Sequence, residues 1–259
     1  MRARLKHLLG TLRTTAPGLA RVIDGGRQWA HLRREATRCL RATEGWPIAE
    51  KIDFLYARGR TFSPWQKRDE ILRLLELLLQ RPPARMCEIG GALGGTLLLF
   101  SHCASDEATI VSIDRAYTFA QRRVFERFAR KGQTVRCLAA DSQNEKTVGA
   151  LKTHLGGDPL DFLFIDGDHS YAGVTADFRL YSPLVRPGGL IAFHDIVPDA
   201  RTLSGLTSEK GVGDVPRFWV ELKARYRGWA SELIEDPKQD GFGIGVLTWY
   251  PRGRVEEDA

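Results

Sequence analysis

From residue 86 onward the chain alternates short apolar runs with longer amphipathic stretches. The apolar runs at 86–90, 109–114, 134–139, 160–166 and 190–194 read as buried strands, four to eight residues long and bounded by turn residues. Helical spacing fills the gaps, at about 95–104, 117–131, 144–155 and 171–184. Arg186-Pro187-Gly188-Gly189 reads as a turn before the fifth strand, 215–226 as a helix and 242–250 as a closing strand. Apolar strands separated by helices call for a mostly parallel sheet covered on both faces, an α/β doubly wound architecture.

Ahead of this region the pattern is helical. Ile71, Leu72, Leu74, Leu75, Leu77, Leu78 and Leu79 mark a heavily buried helix. Ser63 is its expected N-cap, Pro64 its first residue, and Pro82-Pro83 its end. Shorter helices are expected at 47–58 and 28–41, the latter carrying Trp29, Leu32 and Leu40. At the start, Leu5, Leu8, Leu9 and Leu12 have helical spacing among Arg2, Arg4, Lys6 and Arg13, with Gly10, Pro17, Gly25 and Gly26 as expected interruptions. The organisation is therefore a basic helical extension over 1–60 and an α/β domain over 61–259.

Charge sharpens that division. Residues 1–41 hold ten Lys/Arg and two Asp/Glu, a net of +8, out of +6 for the whole chain. The remaining residues, with 28 basic and 30 acidic groups, are net −2. The basic arm suits a peripheral contact with an anionic membrane surface, a solvated tail or a contact in a homo-oligomer. A slightly acidic body gives no reason to expect a nucleic-acid partner. No window is long and apolar enough for a membrane span, and the leucine segment is too short and broken for a signal peptide. Cys39, Cys87, Cys103 and Cys137 lack C-x-x-C spacing and read as buried thiols of a cytoplasmic protein.

The chemistry gathers at the predicted strand ends. After the first strand, Glu88 and Gly90, Gly91, Gly94 and Gly95 lead to Thr96 and an apolar helix. Such a turn brings backbone N–H groups close to a polar or anionic ligand. The dinucleotide pattern G-x-G-x-x-G is met only as Gly90, Ala92, Gly95, without its central glycine. The alternative is the E-x-G-x-x-x-G pattern of an S-adenosylmethionine (SAM) site, Glu88, Gly90 and Gly94. The next strands end at Asp114, at Asp141-Ser142, at Asp166 with Asp168 and His169, and at His194-Asp195. In doubly wound sheets ligands bind at this edge. Asp114 suits ribose hydroxyls and Asp141-Ser142 an adenine edge. Asp166, Asp168, His169, His194 and Asp195 offer either oxygen-rich ligation of Mg²⁺ or an imidazole general base held by a carboxylate.

The segments CEIGGALGGTLLLF, VSID, AADS, FLFIDGDHSYAGVTADF and PLVRPGGLIAFHDI resemble the class I SAM-dependent methyltransferases. The nearest branch is that of small-molecule O-methyltransferases, including the macrocin O-methyltransferases and cephamycin-cluster proteins. The resemblance covers about half the chain, within 62–195. It implies a Rossmann-like, seven-stranded sheet whose last strand is antiparallel. It implies that Glu88, Gly90, Gly94 and Thr96 line the methionine part of SAM, that Asp114 holds the ribose and Asp141 with Ser142 the adenine. It further implies a metal site of Asp166, His194 and Asp195, although the family's usual last pair is Asp-Asp or Asp-Asn. Without a metal, His194 becomes the expected general base, with His169 the other candidate.

The reading is methyl transfer from SAM to a hydroxyl of a small molecule or sugar. Its rivals are a nucleotide-dependent oxidoreductase and a non-catalytic scaffold of the same fold. The acceptor pocket is expected from 46–66, from the loop 198–216, and from Trp219 or Trp249, with Trp65 and Gln66 closing over the cofactor.

Overall fold

The computed structural model describes residues 17–57, 61–205 and 211–251. The expected leucine-rich arm at 5–12 and the domain boundary at 60 lie outside the described residues. Helix α1, Pro17–Ala42, runs without a break through Gly25 and Gly26, which the sequence marked as interruptions. Two glycines cost a helix interior about 2 kcal/mol together. The inward face offsets this: Ala36 and Cys39 join the main core, and Trp29, Leu32 and Leu40 pack against it. Helix α2, Ile48–Ala57, adds Ile52 and Leu55 to that core, so the N-terminal helices are packed on the sheet domain.

Helix α3, Arg68–Gln80, starts later than expected, with Lys67 rather than Ser63 at its N-cap. Tertiary packing overrides the local signal here. Phe62 has φ 57°, and the backbone of 62–64 lies across the first turn of the helix after β1. A Cβ on Gly95 would stand 2.5 Å from the Phe62 carbonyl oxygen.

Seven strands follow in one sheet: β1 Arg85–Ile89, β2 Thr109–Ile113, β3 Thr134–Leu138, β4 Leu160–Ile165, β5 Val185–His194, β6 Ala230–Leu233 and β7 Ile244–Thr248. Their order is β3-β2-β1-β4-β5-β7-β6. β7 runs antiparallel to both its neighbours, and the remaining pairings are parallel. Between them run α4 Gly95–Cys103, α5 Phe119–Phe125, α6 Glu145–His154, α7 Tyr171–Tyr181, α8 Ala200–Leu203 and α9 Val215–Arg225. The expected turn at 186–189 is taken up into β5, whose pairing with β4 shifts register between Leu160 and Phe162. The edge strand β6 was not anticipated.

Strand alternation splits the core in two. Met86, Phe162 and Phe164 face α4 and the aromatic group Phe62, Phe100, Phe125 and Phe128. Cys87, Ile89, Leu163 and Ile165 face the opposite layer with Phe178, Phe193 and Trp219. This period of two puts Glu88 on the Met86 side, inside the protein. The four cysteines are buried and unbridged. Among the described residues no helix is long and apolar enough to cross a membrane.

Candidate active site

The turn after β1 is held by contacts that admit only glycine at key points. Gly90 has φ 91°, and a Cβ there would lie 1.9 Å from the Asp166 carbonyl oxygen. Its N–H donates to Ile113 (2.9 Å), while the Asp166 N–H donates to Ile89 (2.9 Å), so the ends of β1, β2 and β4 are locked together. Gly94, at φ 77°, is the N-cap of α4, and a Cβ there would meet the Phe125 ring at 2.8 Å. Gly94 thus shapes the turn and packs against Phe125 without lining the cavity above it. Thr96 Oγ1 donates to Gln66 Oε1 (2.9 Å), and Gln66 Nε2 donates to Asp166 Oδ2 (2.8 Å).

Glu88 sits elsewhere than expected. It is 1% exposed, beneath the turn and off the cavity wall. Ser112 Oγ donates to Glu88 Oε2 (2.5 Å), and Ser112 is bonded in turn to the Tyr117 hydroxyl (2.7 Å). Gly91 covers this chain so closely that a Cβ would overlap the Tyr117 hydroxyl. Burial raises the Glu88 carboxyl to about 8, with Asp166 and Asp114 adding repulsion and the Ser112 bond opposing it. Burial thus favours the protonated form, and Glu88 lies beneath the turn, off the wall that the resemblance would have it line.

Above the turn lies a cavity of about 680 Å³ at the carboxyl ends of the strands. Gly90, Thr96, Asp114, Asp141, Ser142 and Asp166 all line it. Asp114 accepts from the N–H groups of Ala92 (2.8 Å) and Ala116 (2.7 Å), leaving one lone pair on each oxygen for a ligand. Asp141 accepts from the Gln143 N–H (3.0 Å), and the Ser142 carbonyl is fixed by the Tyr181 hydroxyl (2.8 Å).

At the other side of the cavity the ends of β4 and β5 bring carboxylates and imidazoles together. Asp195, at φ 64°, turns back toward Asp166. Donor atoms of Asp166, His169 and Asp195 lie within 4.8 Å of one another, a spacing that fits a metal ion. His169 Nε2 is 3.5 Å from Asp195 Oδ2 and 3.7 Å from Asp166 Oδ1. Its Nδ1 is 2.5 Å from the Gly211 carbonyl, which makes Nδ1 a protonated nitrogen and turns Nε2 to the cavity. The metal-ligand grouping is thus completed by His169, where the sequence reading placed His194.

His194 is 4% exposed and stands behind the carboxylates. Its Nδ1 lies 3.2 Å from Asp166 Oδ1 and 3.3 Å from Asp195 Oδ2, and its Nε2 is buried without a partner. Burial opposes its protonation, but the two carboxylates prevail and raise it to about 10. His169 is raised likewise, to about 9. Asp166, which burial alone would raise, is held below the usual carboxylate range by the two imidazoles. The two carboxylates thus favour the protonated imidazole at His194, and they are the same groups that a cation would take up.

The remaining expectations divide. Asp168 accepts from the Ser170 N–H (2.9 Å) and Gln143 Nε2 (3.2 Å), so it shapes the start of α7 while touching the cavity. Trp65 and Gln66, expected over the cofactor, and Asp199 and Val212, from the loop expected to meet the acceptor, all line the cavity. Trp219 and Trp249 are core residues, and Trp46 lies at the far end of the sheet. Asp240, Gly241 and Phe242, in the loop before β7, were missed. Positive φ outside glycine was a further signal visible only in the structure. Of the four such residues described, Ala92, Asp195 and Phe242 line the cavity.

Residues 87–196 match the family model of a methyltransferase domain. The uncharacterized protein R132 of Acanthamoeba polyphaga mimivirus is 32% identical over 141 residues, which is 53% of this chain. The matched stretch spans 61% of that relative's length. Among solved structures, the O-methyltransferase from Bacillus cereus in complex with SAH aligns with a TM-score of 0.54 at 19% identity, over 78% of this chain and 90% of its own. The MycE methyltransferase of the mycinamycin biosynthetic pathway, in complex with Mg and SAH, aligns with a TM-score of 0.50 at 17% identity, over 72% of this chain and 50% of its own. At these identities the likeness is one of fold. The comparisons thus place a methyltransferase-domain match on residues 87–196, within a fold shared with the aligned O-methyltransferase.

Proposed function

We propose that this chain transfers the methyl group of SAM to a hydroxyl oxygen of a small molecule, assisted by a divalent cation. One observation carries the reading: a single cavity joins the turn at 90–96, Asp114 and Asp141 to the cluster of Asp166, His169 and Asp195. The methyltransferase-domain match supports the reaction class, and the SAH of the Bacillus cereus O-methyltransferase structure and the Mg and SAH of the MycE methyltransferase structure support the ligands.

In this reading Asp114 accepts hydrogen bonds from the ribose hydroxyls, and Asp141 with Ser142 meets the adenine edge. The N–H groups at the start of α4 face the methionine carboxylate. The acceptor oxygen attacks the methyl carbon as the carbon–sulfur bond breaks. The bonding pair returns to sulfur, and the hydroxyl proton leaves. The sulfonium is already activated, so the protein's main work is alignment and proton removal. Asp166, His169 and Asp195 would hold the cation; the two carboxylates suit Mg²⁺ or Mn²⁺, and His169 would give up its Nε2 proton to join them. When bound, it lowers the pKa of an acceptor hydroxyl. Asp195, on the cavity wall, would take the proton, while His194 orients both carboxylates from behind.

The wall also bears on the acceptor. Among the described residues seven aspartates line the cavity, against Arg115 and the imidazoles of His169 and His194, so acidic groups outnumber basic ones. A phosphorylated or otherwise anionic acceptor is repelled by such a wall, whereas a neutral or aminated polyol fits. Trp65 and Phe242 present apolar faces to a sugar or aromatic ring.

The test is transfer of tritiated methyl from SAM to panels of neutral, aminated and phosphorylated hydroxy compounds, with Mg²⁺, Mn²⁺ or EDTA. Transfer to the first two panels that EDTA abolishes, and that Asp195→Ala lowers by at least about 100-fold, is expected. Full transfer in EDTA removes the cation from the account. Preference for phosphorylated acceptors overturns the charge argument.

A further inference from the structure

We infer that the outer face of α1 is a docking surface for an anionic membrane. The helix is divided cleanly. Trp29, Leu32, Ala36 and Cys39 face the core. Arg27, His31, Arg34, Arg38 and Arg41, spaced by four, three, four and three residues, are all exposed on the other side. Such spacing lines side chains along one helix face. Among the described residues none of these four arginines forms an ion pair, and Arg34 spends one N–H on the Ala30 carbonyl (3.2 Å).

The basic stripe does not end in water alone. Arg41 shares a surface depression with Lys131 and with two large apolar side chains, Trp46 (40% exposed) and Leu79 (42% exposed). Glu44, Asp106 and Glu107 also line it, but Asp106 is tied to Arg130 at 3.1 Å. Basic side chains flanked by an exposed tryptophan and leucine match the headgroup region of a bilayer, where charge stays wet and apolar groups sink in. A nucleic-acid backbone meets the arginines equally well but leaves Trp46 and Leu79 without a partner. The residues ahead of α1 continue the pattern in sequence, with Leu5, Leu8, Leu9 and Leu12 among Arg2, Arg4, Lys6 and Arg13.

Placement makes the surface usable. Asp106 and Glu107 precede β2, and Lys131 precedes β3, so the depression lies at the amino ends of the strands. The methyltransferase cavity opens at the carboxyl ends. Docking through the Arg41 end of α1 and this depression therefore leaves the cavity, at the opposite edge of the sheet, open.

Each arginine close to an anionic leaflet strengthens partitioning about fivefold. Removing four should weaken it on the order of 100-fold or more. The experiment is flotation of the full chain with vesicles of 30% phosphatidylserine in phosphatidylcholine, and with pure phosphatidylcholine, at 0.1 M and 0.5 M salt. Wild type is compared with Arg27→Gln/Arg34→Gln/Arg38→Gln/Arg41→Gln, after matching thermal melts establish that both fold. The expected result is salt-sensitive binding to the anionic vesicles, absent on phosphatidylcholine and lost in the variant. Equal binding to both vesicle types, no binding to either, or undiminished binding by the folded variant overturns the inference. Tighter binding to duplex DNA than to the anionic vesicles also overturns it and reassigns the face to a nucleic acid.

Discussion

Replacing Glu88 by Gln should stabilise the protein at neutral pH and do so progressively less as the pH falls. Glu88 is 1% exposed, with Ser112 bonded to one oxygen and no partner on the other. Its carboxyl is raised from 4.5 to about 8, first by burial and then by Asp166 and Asp114. A raised folded value means that the native state keeps its proton while the unfolded chain loses it. The native state is not penalised below pH ~4.5, and stability falls as the pH rises from there toward about 8. Each pH unit within that window costs about 1.4 kcal/mol. Between pH 5.5 and 7.5 the wild type should therefore lose about 3 kcal/mol that the uncharged Glu88→Gln variant does not. Comparing the two pH values cancels any fixed cost of fitting an amide beside Ser112. Urea unfolding of both proteins at pH 5.5 and 7.5 measures this. A stability difference between them that is the same at both pH values would refute the burial argument and mean that Glu88 is ionised in the native state.

Two other substitutions probe the scaffold around the site. Gly90→Ala puts a Cβ 1.9 Å from the Asp166 carbonyl at φ 91°, so both the contact and the backbone oppose it. A loss of at least about 3 kcal/mol and of SAH binding is expected in thermal melts, and a near-native melt would contradict the turn geometry. Asp161 accepts from the N–H groups of Ala84 (2.8 Å) and Arg85 (2.9 Å) and from Arg186 Nε (2.6 Å). Burial pushes its pKa up, yet these bonds prevail and lower it. Its contribution is thus present above the ordinary aspartate range and is lost as the pH falls below it. Asp161→Ala should cost about 2–4 kcal/mol at pH 7 and less at pH 3, read by urea unfolding at both.

Much of this was legible in the chain because buried parallel strands are written as apolar runs. The five predicted parallel strands and the closing strand all fall within a few residues of their places. β6 escaped because Ala-Ser-Glu-Leu, on the sheet edge with its two central residues exposed, carries no such run. The start of α3 was misplaced because Ser63 and Pro64, good capping residues locally, are drawn across the beginning of α4 by the missing Cβ of Gly95. The strand-end acids were readable from topology alone, since every parallel strand delivers its last residues to one edge. Which imidazole joins Asp166 and Asp195 as a potential ligand was not. That depends on the left-handed turn at Asp195 and on the Gly211 carbonyl holding His169. Likewise Glu88 lies under the turn because strand alternation pairs it with Met86, a consequence of register. Asp240 and Phe242 reach the site from a loop whose sequence carries no motif.

The most direct test of the central claim is calorimetric titration of the full chain with SAH and, separately, with NAD. Saturable binding of SAH at one site, weakened at least about tenfold by Asp114→Ala, and no binding of NAD are expected. Binding of NAD with no response to SAH would contradict the claim.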